Sequence, residues 1–141
     1  MPTTPATPPD RPHRRLSQAL GVLHRVLLNA EAAEAGLTGN PYALLAAVMQ
    51  DPRFAWLRPL SQTMAALDEM GAKGAVPTPA MLEPQVDTVE RLLDPPESGA
   101  PEFRARLDHW LARRPEVAEP AEALRRVLQE FRAGPGRLAA H

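Results

Sequence analysis

The stretch Asn40–Glu69, NPYALLAAVMQDPRFAWLRPLSQTMAALDE, decides the fold. Asn40-Pro41 and Asp51-Pro52 are two successive helix starts, each a short acceptor side chain followed by proline. The acceptor takes one of the orphan N–H groups of the first turn, and proline there lacks only an N–H that would have had no partner. A residue before proline is pushed out of the α region. Asp51 must therefore end one helix and cap the next, and the chain turns a corner there. Leu44, Leu45, Val48 and Met49 are expected to form the buried face of the helix opened by Asn40. Phe54, Leu57, Leu60, Met64 and Leu67 continue at helical spacing. Pro59 falls among them, and in a regular helix it would forfeit the bond to the Ala55 carbonyl at a cost of about 3 kcal/mol. The spacing therefore predicts a Pro-kinked helix near residue 59, or one that restarts near Arg58.

Working outward, Leu16, Leu20, Leu23, Leu27 and Ala30 make one apolar stripe, which predicts a helix from about Pro12 to Ala35. Asp10 is its expected cap, and Gly36 its stop. Beyond the central stretch, Leu82, Val86, Val89 and Leu93 predict a helix starting at Thr78-Pro79 or at Glu83-Pro84 and ending at Asp94-Pro95-Pro96. The segment PPESGAP, residues 95–101, is a turn-rich connector. Phe103, Leu107, Trp110 and Leu111 predict a helix over about Glu102–Arg114. Val117, Ala121, Leu124, Leu128 and Phe131 predict a last one from about Glu116 to Ala133, stopped by Gly134-Pro135. No window alternates with period two, and isoleucine is absent, so a sheet is not expected. The expected fold is all-α, an irregular antiparallel bundle of five to six helices. Residues 1–12 read as a disordered proline-rich tail, 13–133 as a single helical domain, and 134–141 as a flexible C-terminal tail.

Composition excludes several function classes. The 141 residues contain no cysteine, which removes disulfides and thiolate metal sites. No stretch approaches the roughly 18 apolar residues of a membrane span, and the N-terminus has no apolar signal core. A cytoplasmic location is expected. Net charge is −1, without the basic footprint of a nucleic-acid binder. The charge is unevenly spread: residues 1–30 carry net +3, 31–101 net −6 and 102–141 net +2. Basic ends should dock on the acidic middle, or two chains should pair antiparallel. Neither nucleic acid nor membrane is expected as a partner.

Catalytic motifs are missing. There is no HExxH, P-loop or GxGxxG, and no Glu-x-x-His pair of the di-iron bundle kind. His24 and Glu31, seven apart, share one face of the first helix and could meet a third group from a neighbouring helix. A carboxylate beside an imidazole can serve acid–base chemistry or a metal. More simply, His24 borders the core and Glu31 stands in solvent, and that arrangement is the expected one. Glu83, Asp87, Glu90 and Asp94 form a column on one helix face. Its repulsion calls for water, a basic partner, or the arginines Arg104, Arg106, Arg113 and Arg114. Helical carboxylates without a loop rarely supply six oxygens, so no divalent cation is expected. Trp56 is expected in the core with Phe54. In the functional alternative, Trp56 and Arg58 rim an apolar interface. Ser61 is expected to bond a backbone carbonyl beside Pro59.

Leu23-His24-Arg25, Leu27-Leu28 and Ala30-Glu31, followed by Asp51-Pro52, the string FAWLRPLS at 54–61 and Asp68-Glu69, resemble a family of small uncharacterised bacterial helical proteins. The likeness covers about residues 16–70. It implies a bacterial, cytosolic, helical protein, and singles out His24, Glu31, Trp56, Arg58 and Asp68 as candidate binding residues without assigning them roles. No catalytic residue, metal site or cofactor is expected. The function expected from all this is a non-enzymatic interaction or regulatory module with a protein partner or a second copy of itself. The alternative is a helical bundle with a small-molecule pocket near His24, Glu31, Trp56 and Arg58, its ligand unspecified.

Overall fold

A computed structural model describes residues 12–96 and 101–139, except for the side chains of 134–139. The proline-rich tail, the Asp10 cap, most of the 95–101 connector and the last two residues lie outside the described residues. Six α-helices and three short 3-10 segments make up the described chain, and no strand is present among the described residues. The helices are α1 (Pro12–Glu34), α2 (Pro41–Gln50), α3 (Arg58–Met70), α4 (Pro79–Leu93), α5 (Glu102–Arg113) and α6 (Ala118–Ala139). None is long and apolar enough to cross a membrane.

Helix α1 is the spine of the bundle. It packs chiefly on α6 and α3, and also touches α5 and the 3-10 segments at Pro52–Leu57 and Pro115–Val117. Its stripe of Leu16, Leu20, Leu23, Leu27 and Ala30 is buried as the spacing requires. The stop at Gly36 is a complete Schellman motif. Leu37 N donates to the Ala32 carbonyl, and Gly36 N to that of Ala33. Gly36 has φ +74°, a left-handed conformation that a Cβ would strain.

The corner forms as expected. Asn40 accepts from Ala43 N at 3.1 Å, and Asp51 from Arg53 N at 2.9 Å. The break near Pro59 takes the form of a fresh start. Residues Pro52–Leu57 wind as a 3-10 segment, and α3 begins at Arg58. Pro59 thereby sits in the first turn, where its missing N–H costs nothing. Ser61 Oγ donates to the Arg58 carbonyl at 3.1 Å.

Two expectations need correction. Leu45 and Met49 are not buried. They are 60 % and 65 % exposed, and no residue of α2 is fully buried. The reason is geometric: α2 packs mainly on the adjoining 3-10 segment, so only the Leu44, Ala47 and Val48 side reaches the core. Helix α6 does not stop at Gly134-Pro135, and its backbone stays helical to Ala139. Proline's fixed φ matches helical backbone, and the lost hydrogen bond and the crowded Phe131 carbonyl are a cost the end of α6 bears without breaking. Of the two starts offered for α4, the chain uses Thr78, whose side chain accepts from Met81 N, and this leaves Pro84 inside the helix.

Candidate functional site

In the structure Glu31, four residues after Leu27, lies on the buried side of α1 and not in solvent. It is 0 % exposed, which overturns the expectation of a solvated carboxylate. A buried carboxylate needs donors, and three converge on its Oε2. Trp56 Nε1 donates at 2.9 Å and Trp110 Nε1 at 3.0 Å. Arg106 closes the set with an ion pair through Nη2. The two indoles and the guanidinium come from the 3-10 segment and α5, so one side chain joins three elements.

The surroundings reinforce the knot. The Trp56 ring lies 5.2 Å, centroid to centroid, from that of Phe103. The Arg106 guanidinium carbon lies 5.7 Å from the Trp56 ring centre, a cation–π distance. Indole rings bury a large apolar area but need an acceptor for N–H, and Glu31 supplies one acceptor for both. Oε1 has no hydrogen-bond partner among the described residues and is shielded from solvent. Outside the knot lies an open polar pocket of about 420 Å³, walled by Arg53, Trp56, Arg106 and three glutamates, Glu31, Glu34 and Glu102. With its oxygens shielded, Glu31 cannot act as a base on a solvent-borne substrate unless Arg106 first moves aside.

Of the five candidate residues, the structure brings together only Glu31 and Trp56. His24 is half-buried, and burial lowers its pKa below the ordinary 6.5. It makes no hydrogen bond to Glu31, whose partners are those named above. Arg58 is exposed while Trp56 is buried, so the two do not form a shared interface rim. Asp68 is exposed and lines a separate small pocket of about 220 Å³ with His13, Ser17 and Gly71. Arg106 and Trp110 were not among the candidates. Both were detectable in principle, since a glutamate interrupting a leucine stripe calls for donors, and two tryptophans call for acceptors.

No group of three or more potential metal ligands is found among the described residues.

The acidic column of α4 is paired mainly by α6, and less by the α5 arginines that were one of the three candidates. Arg132 bridges Glu83, Asp87 and Glu90, and Arg125 reaches Asp94 at 2.8 Å. From α5, Arg104 approaches Asp94 at 4.0 Å and donates to the last-turn carbonyl of Leu93 at 3.0 Å. One arginine shared by three carboxylates offsets part of their repulsion and straps α4 to α6, and its own pKa rises as a result. The hydrogen bond from Arg125 holds the Asp94 carboxyl below its ordinary value of 3.8, against a smaller opposing effect of desolvation. A depressed acid pKa contributes stability above the unfolded value, which is lost as pH falls through the folded one. Asp94 is 70 % exposed, so the effect is small. Asp94→Asn should cost less than about 1 kcal/mol at neutral pH. The difference from wild type should vanish as pH falls below that value. Urea titrations across that range check both the size and the sign.

Compared with family models, curated proteins and solved structures, the chain finds no match.

Proposed function

We propose that this chain is a non-enzymatic protein-interaction module whose contact surface is the outer face of α2. The observation that carries it is the exposure of that face. Tyr42 is 86 % exposed, Leu45 60 % and Met49 65 %, and they stand at spacings of three and four on one side of a helix. Residues 35–50 contain no charged side chain at all. Scattered exposed apolar residues are ordinary, but a contiguous uncharged stripe on a surface element marks a place where another molecule sits. The division of labour fits this function. The polar knot at Glu31 fixes the 3-10 segment that carries α2, and α2 contributes little to the core.

The test separates an outer contact from an internal one. In the triple variant Tyr42→Ser, Leu45→Lys, Met49→Gln, an intermolecular surface leaves the stability of dilute protein within about 0.5 kcal/mol of wild type. If the stripe instead packs on another part of the same chain, the loss is several kcal/mol at every protein concentration, and the proposal fails.

A further inference from the structure

We infer that the partner of this face is a second copy of the chain, with α2 packed antiparallel on α2 about a two-fold axis. This rests on the interaction function proposed above. Three observations select this occupant. The first is the order of the stripe. Reversing the helix about the point between Leu45 and Ala46 exchanges Tyr42 with Met49 and Leu45 with Ala46. Each large or rigid side chain thus meets a flexible or small one: the Tyr42 ring meets the adaptable Met49, and Leu45 fills the space that Ala46 leaves. A surface complementary to itself under reversal is what an isologous contact requires.

The second observation is charge. A partner of opposite charge would be met by charged groups, and α2 offers none from Pro41 to Gln50. A second α2 is equally uncharged, so neither face strands a charge in the contact. Antiparallel pairing also sets opposite ends of the two helix dipoles side by side.

The third is area. The three exposed side chains present roughly 400 Å² per copy, and Pro41, Ala46 and Gln50 widen the patch. Two copies then bury on the order of 800–1,000 Å², below the roughly 1,200 Å² of stable interfaces and within the range of weak, transient ones. That size fits a dimer that dissociates on dilution through micromolar concentrations better than it fits an obligate one.

The absence of cysteine makes the register directly readable. Sedimentation equilibrium of the full chain should show a monomer–dimer equilibrium, which Leu45→Arg weakens at least about 100-fold by setting two guanidiniums near the axis. Under mild oxidation Ala46→Cys should cross-link to itself. Tyr42→Cys should not, but should cross-link to Met49→Cys when the two variants are mixed. A strict monomer overturns the inference while leaving the interaction function to stand or fall on the triple variant. A dimer unaffected by Leu45→Arg overturns it too, and efficient self-cross-linking of Tyr42→Cys overturns the antiparallel register.

Discussion

Glu31→Ala should cost about 3–5 kcal/mol of folding stability, measured by urea denaturation at neutral pH. Most of that cost is not the loss of a favourable contact. Removing the carboxylate leaves the buried Trp56 and Trp110 indole N–H groups without their acceptor, and leaves Arg106 without its counter-charge. Each stranded neutral donor costs about 1–3 kcal/mol in such a setting. The guanidinium is cheaper to release, because the Arg106 side chain is 36 % exposed and can turn toward water. Glu31→Gln keeps one carbonyl oxygen and should lose only about 1–3 kcal/mol. The shared acceptor also implies non-additivity. Trp110→Phe combined with Glu31→Ala should cost less than the sum of the two, since the phenylalanine has no donor left to strand. A loss below about 1 kcal/mol for Glu31→Ala would mean that the indoles and the arginine find other partners without it.

Pro84→Ala should raise stability, by about 1–2 kcal/mol. Proline deep in a helix costs about 3 kcal/mol because it removes one hydrogen bond and crowds the carbonyl four residues back. Pro84 is the sixth residue of α4, past the first turn where the loss is free, and the carbonyl it leaves unpaired is that of Ala80. Ala80 is exposed, so water takes up part of the penalty. Alanine also gives back some conformational freedom to the unfolded chain, which offsets roughly 0.4–1 kcal/mol of the gain. The same thermal or urea unfolding curve reports the net effect. No gain, or a loss, would show that the helix is already bent to accommodate the ring at no cost.

The helices were legible because their signals are local. Cap-and-proline pairs at Asn40 and Asp51 mark where two elements start, and the stripes of α1 and α4 each specify a helix and the face it buries, which the structure buries. Residues whose state depends on a distant element were not legible. Glu31 and its donors are separated by 25 to 79 residues, and no window contains them together. The pairing of the acidic column depended on which arginines faced it. Both α5 and α6 lie against α4, and it is Arg125 and Arg132 of α6 that face the column. Helix α2 misled for a related reason. Its apolar residues occupy more of the circumference than one neighbour can cover, so composition alone could not say which side would be left outside. Pro84 was read as a possible helix start because proline favours first turns, but the Thr78 cap six residues earlier prevailed.

At the centre of the account is one carboxylate holding both tryptophans, and thereby fixing the segment that presents α2. The chain has two tryptophans, so the nitrogen–proton correlation spectrum of labelled protein has two indole N–H signals, each assignable by a Trp→Phe variant. Both should exchange with solvent as slowly as the core amides of α1, and both should move when Glu31 is replaced by Gln. An indole that exchanges at the rate of a free side chain, or that keeps its position in Glu31→Gln, would contradict it.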